Sequence, residues 1–166
     1  GMSNFYAWQG AKAIGYTGKK NLAGIDCIQL VYSLATRDCE LEMTRLCEAE
    51  GVGINVWGAL AGGMLSGKFL VYDPDAPPPP GVKPYPSIWD RRYFEAVARL
   101  KDIAGNRSLS QFALAWCLQQ NMVSSVVCGV SSVEQLQENL GALELELTPE
   151  DLAACDEVWT ALRPPP

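Results

Sequence analysis

The amino-acid sequence predicts an α/β domain in which parallel strands are joined by right-handed helical crossovers. Apolar, strand-like runs lie at residues 26–31, 53–57 and 124–128, and helical patterns separate them. The order strand, helix, strand, two helices, strand, two helices is typical of this class. The length of 166 residues suits one domain with a substantial core, and no internal repeat divides it.

The first half of the chain is predicted to begin with a helix over residues 6–20, capped by Ser3 or Asn4. Interior glycines make this helix weak by intrinsic propensity. A second helix is predicted over residues 40–50, and Gly51 ends it.

The middle of the chain is predicted to be irregular from residue 58 to about residue 87. Its proline-rich part, 70–88, contains four consecutive prolines at 77–80, which exclude a helix or an inner strand. A loop of this length in a compact domain is usually either functional or disordered, and both interpretations stay open.

Helical patterns fill the remainder of the chain, at residues 90–104, 111–120, 131–140 and 149–162. Ser108 or Ser110 is placed to cap the second of these helices, and Thr148 caps the last, with Pro149 at its first position. Residues 163–166 are predicted to be a flexible tail, because three prolines end the chain.

The composition limits the possible partners and the compartment. The chain is 48% hydrophobic and 19% charged, as globular proteins are, and its net charge of −6 argues against a nucleic-acid partner. We expect a soluble cytoplasmic protein without membrane contact, because neither a signal-peptide pattern nor a long apolar run is present. The six cysteines are scattered, without a CxxC pair or a histidine, so we expect reduced thiols and no metal site.

Two strand–loop–helix junctions carry the strongest functional signal. The strand at 53–57 leads into the glycine-rich segment 57–68, whose glycines allow a close approach of the backbone to a ligand. The strand at 124–128 leads into segment 129–139, where a helix N-terminus favours a phosphate group. Two such junctions on one sheet indicate a nucleotide site.

These two segments, together with residues 1–5, 28–33 and 114–118, resemble the aldo-keto reductase family. The potassium-channel β-subunit branch is the most similar part of that family, and the resemblance covers nearly the whole chain in order. It implies the C-terminal half of a (β/α)₈ (TIM-type) barrel, with about three parallel strands and their surrounding helices. A complete barrel typically needs ~250 residues, so the chain is too short for the full fold.

The resemblance also implies a binding site for NADP(H), with NAD(H) as the alternative. The implied contacts are Ser3, Asn4, Gln29, Trp57, Leu60, Gly62, Lys68, Ser131, Gln135, Glu138 and Asn139. Trp57 stacks on the nicotinamide in this scheme, and Lys68 lies near the phosphates. Many family members have an arginine at the position of Ser131 to pair with the 2′-phosphate, so the serine weakens the preference for NADP.

The same residues also have purely structural interpretations. Trp57 can be a core tryptophan, and Gln29 can satisfy backbone groups at a strand end. Ser3 and Asn4 can be helix caps, and Lys68 can be a solvated surface lysine.

The family's proton-transfer tetrad of Asp, Tyr, Lys and His has no counterpart here, since the sequence contains no histidine. Gly58 and Ala59 also replace the usual Ser-Pro after the aromatic residue. We therefore assign no catalytic residue and expect the cofactor-binding half of an NADPH-dependent carbonyl reductase, inactive alone. The alternative is a non-catalytic cofactor-binding or interaction module, or a truncated remnant.

Half a barrel leaves two sheet edges without strand partners. Apolar residues of the strands are expected to lose half of their cover, among them Ile28, Leu30, Ile54, Val56, Val126 and Cys128. The sequence therefore predicts a homodimer, or assembly with a complementary N-terminal half.

Overall fold

The computed structural model of the chain describes residues 1–82 and 86–163. Within them a parallel sheet has the strands β1 (Met2–Ser3), β2 (Cys27–Val31), β3 (Gly53–Trp57) and β4 (Val123–Val127). The strands lie side by side in this same order, β1-β2-β3-β4. The predicted parallel α/β class is confirmed. The sheet has one strand more than the sequence indicated, because the two residues of β1 are too few to form a recognisable pattern.

The helices are α1 (Ala7–Lys19), α2 (Met43–Glu50), α3 (Arg91–Ala104), α4 (Leu109–Leu118), α5 (Val133–Leu140) and α6 (Pro149–Leu162). Short 3₁₀ turns occur at Asp38–Leu41, Ala61–Ser66, Pro86–Ile88 and Gly141–Glu144. Among the described residues, no helix has the length and apolarity needed to cross a bilayer.

One face of the sheet is buried by the helices. Ile28, Leu30, Ile54 and Val56 are at most 6% exposed, and Gly10 of α1 lies close to the Ile28 side chain. The expected loss of cover is therefore wrong for these four residues. The side chains on this face of the sheet pack against helices of the same chain. Val126 is half-buried and Cys128 is exposed.

The opposite face of the sheet is the one that lacks cover. Register places Gln29, Asn55 and Ser125 in one row across this face. Val31, Trp57 and Val127 form the next row towards the carboxyl ends of the strands. None of these six side chains is fully buried, and Val127 is 52% exposed.

The N-terminal cap differs from the prediction. Ser3 lies in β1 and Asn4 has a left-handed backbone with φ of 56°, so neither residue caps α1. The cap is Tyr6, whose N–H donates to Gln9 Oε1 over 3.0 Å. The Asn4 N–H instead donates to the Gln29 carbonyl over 3.0 Å and extends the pairing of β1 with β2.

The later helix signals are mostly confirmed. Ser108 caps α4, and Thr148 caps α6 by accepting from the Asp151 N–H over 3.2 Å. The bounds of three helices shift. The 40–50 segment starts with a 3₁₀ turn before α2, α4 spans Leu109–Leu118 where residues 111–120 were predicted, and Ser132 is the cap of α5.

A buried polar network fixes the segment that follows β2. The Tyr32 hydroxyl donates to Glu40 Oε1 over 2.5 Å, and Arg37 Nε donates to the same carboxylate over 2.8 Å. Arg37 also donates to Asp156 of α6 over 2.7 Å and lies 4.8 Å from the centre of the Trp116 ring. Burial and the Glu40 carboxylate raise the pKa of Tyr32, so this tyrosine stays protonated and the network persists at neutral pH.

The described part of the proline-rich loop is anchored by aromatic residues. The Trp89 indole N–H donates to the Ala76 carbonyl over 2.9 Å. The Trp89 ring lies 5.6 Å from Phe69 and 5.0 Å from Phe94 of α3, centre to centre. Residues 83–85 of the loop and residues 164–166 of the predicted tail lie outside the described residues.

Substitution of Asp151 by Asn is expected to destabilise the chain by about 1 kcal/mol at neutral pH. Arg107 donates to both Asp151 oxygens over 2.6 and 2.7 Å, and this lowers the Asp151 pKa from 3.8 to about 2. Because the folded pKa is the lower one, the contribution is complete above pH ~4 and is lost as the pH falls towards 2. Urea unfolding of both proteins between pH 3 and pH 7 measures this difference.

The matched control is Asp102→Asn, which changes an exposed carboxylate on α3. Its effect on the free energy of unfolding should stay below about 0.5 kcal/mol. If the loss in free energy of unfolding caused by Asp151→Asn does not become smaller as the pH falls, the stabilising role of the Arg107–Asp151 pair is contradicted.

Candidate functional site

A row of polar side chains crosses the open face of the sheet. The register aligns Ser3, Gln29, Asn55 and Ser125 from the four strands. Ser3 Oγ donates to Gln29 Oε1 over 3.4 Å, and Ser125 Oγ donates to Asn55 Oδ1 over 2.9 Å. The row leaves amide donors and acceptors available to a ligand above the sheet.

Trp57 lies at the carboxyl end of β3, one step beyond this row. It is half-buried, and its indole N–H donates to Asn4 Oδ1 over 3.1 Å. The left-handed backbone of Asn4 turns the chain directly after β1, so that the amide reaches the indole. The hydrogen bond fixes the position of an aromatic ring at the edge of the open face, which differs from the environment of a core tryptophan.

The glycine-rich segment after Trp57 forms a tight turn. Gly62 and Gly63 have φ of 62° and 92°, values that favour glycine. Ser66 Oγ donates to the Gly63 carbonyl over 2.8 Å and closes the turn. The Lys68 side chain crosses Gly63, since a Cβ atom added there would lie 2.7 Å from Lys68 Cε. The turn therefore holds an exposed ammonium group over an open backbone.

The N-terminus of α5 faces the same space. Ser131 donates to Gln135 Oε1 through its N–H over 2.9 Å and through its hydroxyl over 3.0 Å. Glu138 accepts from the Ser108 hydroxyl over 2.7 Å, which joins α5 to the start of α4. Hydrogen bonds from its own N–H and from Ser132 lower the pKa of Glu134, as expected for a carboxylate at a helix N-terminus.

Both segments line one cleft of about 770 Å³ between the glycine turn and α5. It contains the candidates Trp57, Leu60, Gly62, Lys68, Ser131, Gln135, Glu138 and Asn139. The other candidates, Ser3, Asn4 and Gln29, do not line the cleft. They connect to its Trp57 end through the Asn4 hydrogen bond and the polar row.

Several residues of the site were missed by the sequence analysis. Asn55 and Ser125 belong to the polar row, and alternation along the strands places them on the same face as Gln29, so this signal was available. Gly63 and Ser66 shape the turn, and Ser110 lines the cleft from α4. The contribution of α4 could not be read from local sequence, because it depends on how the helices pack.

The geometry suits a dinucleotide. A cleft of this volume lies within the range of small-molecule sites. Its lining combines an aromatic ring, a glycine turn, a lysine and the N-terminus of a helix. The cleft lies at the carboxyl ends of parallel strands, which is where α/β proteins place their ligand sites.

The chain belongs to the aldo/keto reductase family, whose sequence model matches residues 1–160. It is 31% identical to aflatoxin B1 aldehyde reductase member 2 of Rattus norvegicus, over 98% of this chain and 50% of that protein. It is 33% identical to a probable voltage-gated potassium channel subunit beta of Oryza sativa subsp. japonica, over 90% of this chain and 48% of that one. The resemblance to this family is confirmed.

The chain spans about half the length of the curated relatives it matches. Its four parallel strands and their helices are consistent with part of a (β/α)₈ barrel. The open face of the sheet then corresponds to the inward-pointing face of a barrel, which explains its half-exposed polar row.

Substitution of Gly63 by Ala is expected to destabilise the chain by about 1–2 kcal/mol. The φ of 92° is unfavourable for alanine, whereas the flexible end of the Lys68 side chain can move away from the new methyl group. Equilibrium denaturation in urea measures the loss.

The control is Gly129→Ala in the same cleft. A Cβ atom at Gly129 meets nothing within 4 Å, and Gly129 is not among the residues with positive φ. Equal unfolding midpoints for the two variants would mean that the turn at Gly63 tolerates a side chain.

Proposed function

We propose that the chain binds a nicotinamide adenine dinucleotide in the cleft and belongs to an oxidoreductase that reduces carbonyl compounds. The observation that carries this proposal is the Trp57 ring, held by Asn4 at the end of a cleft that runs to the N-terminus of α5. A flat ring in a fixed position is a stacking surface for the nicotinamide.

The sheet provides partners for the carboxamide group of the nicotinamide. Gln29 lies on β2, next to the strand of Trp57, and Ser3 lies on β1 one strand further away. They carry an amide and a hydroxyl on the open face. A carboxamide needs both an acceptor and a donor, and the Gln29 amide offers both. The weak 3.4 Å contact between Ser3 and Gln29 is easily exchanged for a ligand hydrogen bond.

The other end of the cleft suits the phosphates and the adenosine. Lys68 supplies positive charge beside the open backbone of the glycine turn, and the α5 dipole favours an anion. Gln135 accepts from both Ser131 donors in the free chain. A phosphate oxygen would replace Gln135 as their acceptor, so both Ser131 donors would keep a hydrogen bond when the cofactor binds.

When bound, the reduced nicotinamide supplies a hydride to the carbonyl carbon of an aldehyde or ketone. The carbonyl oxygen also needs a proton from a positioned acid. The sequence has no histidine, and no tyrosine is among the described residues that line the cleft. Burial raises the pKa of Tyr32, and its hydroxyl already donates to Glu40, so it is a poor acid.

The second candidate function is therefore a non-catalytic cofactor-binding module. The lack of a histidine or tyrosine among the described residues that line the cleft favours it over turnover by this chain alone. Oxidation of NADPH with a generic aromatic aldehyde separates the two candidates. Turnover above the rate of a Trp57→Leu control supports an enzyme, whereas cofactor binding without turnover supports the module.

Tryptophan fluorescence should decrease on titration with NADPH, with saturation in the micromolar range. Trp57→Leu should weaken the binding about tenfold, because the stacking surface is lost, whereas Trp57→Phe should retain most of the affinity. Isothermal titration calorimetry gives the affinity of each variant independently of fluorescence.

The control is Trp8→Phe, which changes a tryptophan that is 62% exposed on α1. It should leave the affinity unchanged. Absence of binding up to millimolar NADPH and NADH would refute the proposed function and leave a chain with an inherited but inactive cleft.

Substitution of Ser131 by Arg should raise the affinity for NADPH about tenfold without changing that for NADH. An arginine at this place in the cleft can form charge-assisted hydrogen bonds with a 2′-phosphate. Calorimetry with the two cofactors measures the difference, and Ser131→Gln is the uncharged control of similar length. If Ser131→Arg raised the affinity for NADPH and NADH equally, the 2′-phosphate would not lie beside residue 131.

A further inference from the structure

The sheet has two open edges in the part of the chain that the structure describes. β1 pairs only with β2, and β4 pairs only with β3. A parallel strand at an edge presents unpaired backbone donors and acceptors along its free side. Because the strands are parallel, the free side of β4 can pair with the free side of a β1 strand from another molecule.

The flank of the β1 edge is aromatic and exposed. Phe5, Tyr6 and Trp8 follow β1 directly and are 44%, 72% and 62% exposed. Monomeric proteins rarely expose adjacent aromatic side chains to this degree, and such patches mark interaction sites.

The flank of the β4 edge is aliphatic and equally exposed. α5, which is described in full, buries none of its residues. Val133, Leu136, Leu140 and Leu143 are 64%, 45%, 52% and 70% exposed. Their spacing of three and four residues forms a single stripe along the helix and the 3₁₀ turn that follows it.

The two flanks carry opposite charges. Residues 1–25 contain three lysines, Lys12, Lys19 and Lys20, and neither aspartate nor glutamate. Residues 127–147 contain four glutamates, Glu134, Glu138, Glu144 and Glu146, and neither lysine nor arginine. All seven side chains are exposed. Each edge is therefore complementary in charge to the other edge of an identical chain.

We propose that two copies of this chain close into one eight-stranded parallel barrel. β4 and α5 of each copy meet β1 and α1 of the other, and a twofold axis relates the two contacts. A second copy of the chain then pairs with both edge strands and covers both apolar flanks. It also brings each basic flank against an acidic one. Four strands from each copy give the strand number of a (β/α)₈ barrel, and the polar rows of both copies face its interior.

The arrangement does not depend on cofactor binding, because its contacts lie at the sheet edges. Size-exclusion chromatography with light scattering tests it in the absence of cofactor. The expected mass is twice the 18.0 kDa of one chain, at micromolar concentrations. A single-chain mass up to 100 μM, or open-ended larger species, would overturn the closed dimer.

Charge reversal tests which surfaces meet. The variant Lys12→Glu/Lys19→Glu keeps only Lys20 on the basic flank, so both of its flanks are acidic. The variant Glu134→Lys/Glu144→Lys/Glu146→Lys keeps only Glu138 on the acidic flank, so both of its flanks are basic. Each variant alone should raise the dissociation constant of the dimer tenfold or more, on the order expected for several surface charge pairs. An equimolar mixture should form a heterodimer, because both of its contacts again join opposite charges.

Circular dichroism identifies any variant that fails to fold, and the neutral variants Lys12→Gln and Glu144→Gln then replace it in a salt titration. At low salt, the neutral variants should lower the dimer affinity towards the value that the unsubstituted chain has at high salt. Unchanged dimers in both charge reversals, or a mixture that stays monomeric, would overturn the proposed pairing of edges. Assembly only with a different protein would overturn it as well.

Discussion

Burial of one face of the parallel sheet is the constraint on which the rest of the structure depends. Ile28, Ile54 and Val56 lose nearly all contact with water, and α4 supplies Phe112 and Trp116, which are equally buried. Side chains alternate along a strand, so burial of one set fixes the direction of the other. The polar row and Trp57 face the open side for this reason, and a register slip of one residue would reverse both sets.

The elements predicted correctly are those with strong local signals. β3 has the bounds that its apolar run indicated, and α6 begins at Pro149 after the Thr148 cap. β1 was not predicted, since two residues become a strand only through pairing with β2. The caps Ser3 and Asn4 were wrong for the same reason, because long-range partners engage the side chains that a cap would use, Gln29 for Ser3 and Trp57 for Asn4.

The site residues show the same contrast between local sequence signals and long-range contacts. Segments 57–68 and 129–139 each contain a local pattern, and their candidate residues line one cleft. Three candidates lie beside the cleft, where tertiary hydrogen bonds determine their positions. The predicted loss of cover failed for Ile28, Leu30, Ile54 and Val56 because it treated all apolar strand residues alike. Helices supplied by the chain cover one face, and the inward face of the sheet is the more exposed one.

The contact between Arg37 and Asp156 has a consequence for the order of folding. It joins residues 119 positions apart, and it completes the network that fixes the segment after β2. During synthesis this segment emerges well before α6, because Asp156 is made 119 residues after Arg37. Until then Arg37 has only its local partner Glu40, and the network stays incomplete until α6 has been made. Docking of α6 is thus the step that locks a loop near the first strands.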